Sequence, residues 1–318
     1  MAKRCFVGFD TSNYTTSVAL CTEEGEIVAN LKRPLPVAVG ACGLRQSDAV
    51  FAHVKNLPDI CKELGEVIRD DSVLAVGVSA KPRQAENSYM PCFLSGVSAA
   101  NAFAAACKAP LYECSHQDGH IRAAVYSSGA QDKLLLAPFA AFHVSGGTTE
   151  ILHVTPDETG FSVELVGQTA DLNVGQLIDR VGVMMGLRFP CGKELEAFAK
   201  QYSGPLPQVK TSVRGCVCNL SGLQNLAENL WKKTVDPCLV SAYVEACVAK
   251  TLQKMTAQLD ARFPNLPIVY AGGVMSNRHF QEVLGKRADT YFAEPAFSAD
   301  NAAGVALLCR DTYLQTHS

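Results

Sequence analysis

Apolar and polar positions alternate along two stretches of the chain, in the same order each time. The first, CFVGFDTSNYTTSVALCTEEGEIVANL from Cys5, reads as an apolar strand, a turn of Ser, Thr and Asn, a second apolar strand, an acidic-Gly turn and a third strand. The second, FAAFHVSGGTTEILHVTPDETGFSVELVG from Phe139, repeats those parts. Period-two patterning bounded by turn residues predicts strands, so each stretch is a three-stranded β-meander opened by small hydroxyl side chains. Elsewhere the spacing is helical. Gln46 to Glu63 carries a helix pattern interrupted near Pro58, Gly96 to Lys108 is an Ala-rich helix, and Leu239 to Leu259 is a long amphipathic one. Val73 to Ser79 and Ile268 to Tyr270 read as strands, the latter running into Ala271-Gly272-Gly273. Ser203 to Gln208, with two prolines, is a loop.

Strands mixed with helices make the chain α/β. Two lobes that each begin with a meander predict the duplicated actin/hexokinase/Hsp70-like architecture. The N-terminal lobe is expected over residues 1–135 and the C-terminal lobe over 136–318, with the last helix packing back on the first lobe and a ligand in the cleft between them. A length of 318 residues suits two such lobes. Hydrophobic residues at 48% and charged residues at 19% exclude a disordered or fibrous chain. No apolar run reaches the ~20 residues that span a bilayer. The start, MAKRCFVGFD, lacks a secretory apolar stretch, so a cytoplasmic protein without membrane partners is expected. The 13 cysteines are then reduced thiols. Cys5, Cys107, Cys247 and Cys309 sit in apolar patterns as small hydrophobes, and Cys216-Val217-Cys218 is a weak metal signal. A net charge of −3 gives no global field for nucleic acid, although a local patch would suffice.

Candidate chemistry gathers in the turns. Ser145-Gly146-Gly147-Thr148-Thr149 lies between two strands, and paired glycines let backbone N–H groups approach an anion. Asp10-Thr11-Ser12 holds the equivalent place in the first meander. Either alone reads as an ordinary hairpin turn; two in duplicated positions read as a phosphate clamp. Gly272-Gly273, at the carboxyl end of a strand and shortly before Asn277, marks where ligands bind in open α/β sheets. Asp179, on the helix before Pro190-Cys191-Gly192-Lys193, is either a ribose ligand or a solvated helix charge. His116-Gln117-Asp118-Gly119-His120 places two imidazoles at i and i+4, on one face of a helical turn, as a metal requires; the alternative is one buried and one solvated histidine. Position 117 is Gln, so the H-E-x-x-H chemistry of a zinc peptidase is disfavoured. Asp300 is the candidate third ligand or a helix N-cap.

These motifs, in this order and along nearly the whole chain, resemble the tRNA threonylcarbamoyladenosine transferase (TsaD/Gcp) family. His116 to His120 resembles its metal motif, and Ser298-Ala299-Asp300-Asn301 its distal ligand segment. Val144-Ser145-Gly146-Gly147, after His143, resembles its phosphate loop. Asp179, Gly192, Glu196 and Asn277 match positions that hold the nucleoside, and Ser221-Gly222-Leu223 matches a further signature. The resemblance implies an acyltransferase that passes threonylcarbamoyl from its adenylate to the N6 amine of a tRNA adenosine. It also implies one divalent metal, iron or zinc, and an adenine nucleotide or acyl-adenylate ligand. The implied partners are tRNA, a paralogous actin-like subunit and a small ATPase.

The first turn departs from that pattern. Where the family reads Thr-Ser-Cys-Asp-Glu-Thr, this chain has Thr11-Ser12-Asn13-Tyr14-Thr15-Thr16, so Asp10 is the carboxylate left there to serve in catalysis. The family's His after Gly-Gly is Thr148, its Lys after Ser-Gly-Leu is Gln224, and a Gly-Pro-Gly-type turn is Lys81-Pro82-Arg83. The competing expectations are a paralogue with the same nucleotide and metal cleft doing carbamoyl transfer or nucleotide hydrolysis on another acceptor, and a non-catalytic scaffold.

Overall fold

Both meanders form. The computed structural model describes residues 3–12, 14–36, 44–158, 160–298 and 301–317. Along the chain run β1 (Arg4–Asp10), β2 (Thr15–Thr22), β3 (Ile27–Pro34), α1 (Gln46–Ile68), β4 (Ser72–Lys81), α2 (Phe93–Cys107), β5 (Leu111–Ser115) and α3 (His116–Ser127). There follow α4 (Gln131–Leu134), β6 (Phe139–Val144), β7 (Thr149–Asp157), β8 (Gly160–Thr169), α5 (Val174–Met184), α6 (Gly192–Ala199), β9 (Ser212–Arg214) and β10 (Val217–Asn219). The remainder is α7 (Ser221–Thr234), α8 (Pro237–Arg262), β11 (Ile268–Ala271), α9 (Arg278–Leu284), β12 (Thr290–Phe292) and α10 (Ala303–Thr316).

Two elements differ from expectation. The first helix runs unbroken through Pro58. Proline there removes the bond to the Val54 carbonyl, but Val54 and Pro58 both lie on the exposed side, where the carbonyl is open to solvent. The long helix α8 buries a wide arc rather than a narrow stripe: Val240, Ser241, Tyr243, Val244, Glu245, Cys247, Val248 and Ala249 are buried, and Ala242, Ala246 and Lys250 lie on the less buried side.

The chain forms two compact units: Met1–Ser127 with Pro156–Ser162 and Ala296–Ser318, and Ser128–Thr155 with Val163–Pro295. In the first, strand order is β3-β2-β1-β4-β5, with β1 antiparallel to β2 and parallel to β4. Alternation gives the sheet two apolar faces. Val7, Phe9, Val18 and Leu20 pack with Ile60, Leu64, Ala100 and Ala104 of α1 and α2. Phe6, Ala19 and Cys21 pack with Ala303, Ala306 and Leu307 of α10. The same α10 fixes α3: a Cβ at Gly304 would stand 1.8 Å from the Gly119 carbonyl oxygen, so only glycine permits this approach.

In the second unit the order is β12-β11-β6-β7-β8-β10-β9, and α5 to α9 share one core with the sheet. The series β3-β2-β1-β4-β5 recurs as β8-β7-β6-β11-β12, with β6 parallel to β11 and antiparallel to β7. The repeat read along the sequence is therefore a repeat of topology. The described cysteines are free thiols, and Cys107, expected inside, is exposed. No helix among the described residues is long and apolar enough to cross a membrane.

Candidate functional site

In the first unit the carboxyl end of β1 meets the start of α3. Asp10 is 1% exposed, and both carboxylate oxygens are engaged: Oδ1 accepts from the Ser12 N–H at 2.7 Å and Oδ2 from His116 Nδ1 at 2.7 Å. A carboxylate can only accept, so His116 Nδ1 carries a proton, and in the neutral ring Nε2 then carries a lone pair. His120 Nε2 lies 2.9 Å from that atom, and the two rings meet edge to face. The i, i+4 spacing has brought two imidazoles together, with a carboxylate behind one of them. This is the arrangement that orients histidine ligands at metal sites. Among the described residues no set of three His, Cys, Asp or Glu is gathered for a metal, and Asp300 lies outside those residues.

The segment Lys81 to Gln84 braces this turn. The Pro82 carbonyl accepts from the Gln117 N–H at 3.0 Å, and the Gln84 amide donates to Asp118 at 2.9 Å. Burial pushes the Asp118 carboxyl up, against the hydrogen bonds from Gln84 and Ser115. Thr11 is committed to packing: its hydroxyl donates to the Cys92 carbonyl at 3.0 Å and accepts from the Gly96 N–H at 2.9 Å, docking α2. Ser12 is buried, and its Oγ has no partner among the described residues.

In the second unit the expected residues fall on three loops. Ser145 Oγ accepts from the Gly147 and Thr148 N–H groups at 3.2 and 3.1 Å, which folds the turn after His143 and Val144. Gly175 of α5 supports it from behind, donating its N–H to the Ser145 carbonyl at 3.1 Å. The N–H of Gly146 has no acceptor among the described residues, so it and the Ser145 hydroxyl are the donors an anion would meet. Asp179 accepts from the Cys191 N–H at 2.8 Å and so sets the loop that opens α6 at Gly192; burial raises its carboxyl despite that bond. Glu196 accepts from the Arg278 N–H at 3.2 Å, and Asn277 caps α9 by accepting from the Phe280 N–H at 3.2 Å. Together they fasten α6 to the Gly272–Asn277 turn.

The glycines divide into two kinds. Gly272 has φ +99°, and a Cβ there would lie 2.2 Å from the Val144 carbonyl oxygen, so the fold itself demands it. Gly146, Gly147, Gly192 and Gly273 are different: a Cβ on any of them meets nothing within 4 Å. Packing among the described residues does not explain those four.

The family model for tRNA N6-adenosine threonylcarbamoyltransferase matches residues 49–307. The chain belongs to this family. The threonylcarbamoyltransferase of Streptococcus suis strain 05ZYH33 is 28% identical over 326 residues, covering 98% of this chain and 94% of that one. That of Streptococcus pneumoniae strain CGSP14 is 32% identical over 300 residues, covering 89% and 84%. A ROK family glucokinase from Streptomyces griseus superposes with a TM-score of 0.50 at 15% identity, covering 96% of this chain and 99% of that one. The fold is therefore of the actin/hexokinase type, and the chain is an acyltransferase-type enzyme.

Two residues of this threonylcarbamoyltransferase-family chain escaped the sequence reading. Asp171 accepts from the Leu220 N–H at 2.8 Å and from the Ser221 N–H and Oγ at 3.2 and 2.6 Å, fastening the Ser221-Gly222-Leu223 segment. Burial acts to raise its carboxyl, but these bonds outweigh it and hold the group well below the usual carboxylate range. Glu245 is the second, buried against Asn277. A carboxylate in mid-helix has no local signature, whereas the Asp171 link to residue 221 could have been sought as a cap for α7.

Proposed function

We propose that this chain passes a threonylcarbamoyl group from its adenylate to the N6 amine of a tRNA adenosine, binding the adenine nucleotide on the loops of the second unit. The observation that carries the nucleotide reading is the set of glycines that the fold does not require. Gly146 and Gly147 lie beside the Ser145 hydroxyl, Gly192 opens α6, and Gly273 follows the strained Gly272. Bare backbone at these places suits the close approach of a phosphate and a ribose. Asp179 and Glu196 would face the ribose side. The glucokinase that shares the fold was solved with glucose and AMPPNP, which supports the same choice of ligand.

His116 and His120 would hold one divalent metal, iron or zinc, with Asp300 as third ligand. Two neutral imidazoles and a carboxylate suit either metal, and the fixed Nδ1 proton of His116 already presents Nε2 for bonding. When bound, such a metal supplies Lewis-acid polarisation of phosphate or carbamoyl oxygens. Asp10 then acts as the residue that holds His116, because both its oxygens are occupied. In the transfer the adenosine N6 attacks the carbamoyl carbon, the bond to the adenylate phosphate breaks, AMP leaves and N6 gives up a proton. No carboxylate stands at positions 14 and 15 to take that proton: Tyr14 is exposed and Thr15 begins β2. A general base contributes about 10²–10⁴ in rate, so transfer by this chain is slow beside a relative that has the acidic pair. The same observation favours a second reading, in which this nucleotide and metal machinery serves carbamoyl transfer to another acceptor.

Calorimetric titration with an adenine nucleotide tests the shared part of both readings. A Cβ at position 147 meets no described atom within 4 Å, so Gly147→Val should fold normally and lose nucleotide binding. Unchanged binding would remove the glycine argument, and no binding to the unaltered chain would remove the proposal.

A further inference from the structure

Glu245 lies near the middle of α8, where a carboxylate normally faces water, yet it is 5% exposed. Its surroundings come from α6 and α9. Asn277 donates from Nδ2 to Glu245 Oε1 at 2.5 Å, while Asn277 Oδ1 accepts from the Phe280 N–H to cap α9. From α6, Glu196 brings a second carboxylate, whose Oε1 takes the Arg278 N–H at 3.2 Å and Lys200 Nζ at 2.6 Å. The charged groups acting on Glu245 are Glu196 and Lys200; no charged group of α7, β9 or β10, which also pack on α8, joins them. Burial, and then the Glu196 charge, push the Glu245 carboxyl up to about 7 against the pull of the Asn277 bond.

The two protonation states ask different things of Asn277. Ionised Glu245 can only accept, which holds Nδ2 towards it and leaves Oδ1 for the cap of α9. Protonated Glu245 carries an O–H that needs an acceptor. Asn277 can supply one by turning its amide over, and that withdraws Oδ1 from the Phe280 N–H.

We propose that Glu245 is a positioning residue for nucleotide binding: its ionised carboxylate holds Asn277, and with it the Gly272–Asn277 turn, in the arrangement that receives the nucleotide, and its protonation releases that turn. The proposal rests on the nucleotide reading above and adds to it a pH-controlled support. Nothing at Glu245 itself touches the ligand; the carboxylate acts through Asn277.

The experiment is calorimetry with AMP between about pH 6 and pH 8 on the full chain, comparing the unaltered protein with Glu245→Gln and Glu245→Leu. If only the ionised form is competent, the unaltered chain should bind about tenfold more weakly one pH step below its midpoint, in proportion to the competent fraction. Glu245→Gln presents one donor and one acceptor, as protonated Glu245 does, and does not titrate, so it should bind as weakly as the protonated form at every pH and show only the pH dependence of AMP itself. Glu245→Leu, which removes the acceptor, should bind weakly throughout; if it fails to fold, the comparison with Gln still decides. Identical pH profiles for the unaltered chain and Glu245→Gln would overturn the role of Glu245 and leave the nucleotide site standing. No AMP binding at the upper pH would overturn both.

Discussion

Asp10→Asn changes one atom and should disable the histidine pair. The carboxylate accepts two hydrogen bonds of 2.7 Å, from Ser12 N–H and from His116 Nδ1, in a position 1% exposed. An amide offers one accepting end and one donating end. With its oxygen towards His116, its NH₂ would face the Ser12 N–H, and a buried donor left unsatisfied costs about 1–3 kcal/mol. With its oxygen towards Ser12, its NH₂ faces His116 Nδ1, and the imidazole can answer by moving its proton to Nε2. The second arrangement keeps both hydrogen bonds and costs only a change of tautomer, so it wins. The result is His116 with a proton on the nitrogen that should bind metal. Disturbing a group that orients a histidine ligand typically lowers metal affinity about 10–100-fold, or about 1.4–2.8 kcal/mol. Competition between the protein and a chromophoric chelator for zinc or ferrous ion measures this, with a thermal melt to show that the variant folds. A folded Asp10→Asn protein with undiminished metal affinity would refute the account of His116 and its tautomer.

Three further outcomes follow from buried or constrained groups. Glu245 titrates near 7 in the folded chain against an ordinary value of 4.5, so its contribution to stability is fully present below that ordinary value and is lost as pH rises through about 7. Glu245→Gln should therefore be more stable than the unaltered chain by up to about 3 kcal/mol at pH 8 and nearly equal to it at pH 4.5, read from denaturant unfolding; parallel curves at all pH would contradict this. Asp171→Ala leaves the N–H groups of Leu220 and Ser221 without their acceptor and should cost about 1–2 kcal/mol in the same assay, as for loss of a helix cap; no change would show that water replaces the carboxylate. Gly304→Ala places a Cβ against the Gly119 carbonyl and should destabilise by more than about 2 kcal/mol or shift α3, read as a lowered Tm with weakened metal binding; a neutral result would mean that α3 and α10 part easily.

What the sequence made legible was what depends on local periodicity. Alternation in Cys5–Thr22 and Phe139–Val154 specified the meanders, because a strand's faces are set two residues at a time. The His116–His120 pair was legible for the same reason, since helical spacing alone brings the rings together. What could not be read was the purpose of each polar contact. Thr11 reads as a phosphate donor along the sequence, and the contacts by which its hydroxyl docks α2 were not legible there, because Cys92 and Gly96 reach it from more than 80 residues away. The family resemblance makes Asn277 and Glu196 nucleoside contacts, and the fold shows them also as holders of backbone N–H groups. Glu245 was invisible because its meaning comes from α6 and α9 rather than from its own helix. Pro58 predicts an interruption, but the helix continues because an exposed carbonyl one turn earlier can be left to water at modest cost.

The central claim is transfer of threonylcarbamoyl to tRNA adenosine, and nucleoside mass spectrometry tests it most directly. Unmodified tRNA would be incubated with the purified chain, threonylcarbamoyl adenylate and the accessory subunits the transfer needs, then digested and analysed. The account predicts threonylcarbamoyladenosine that depends on this chain, and that forms more slowly than with a relative carrying two acidic residues at the positions of Tyr14 and Thr15. Product no greater than in reactions lacking the chain would contradict it.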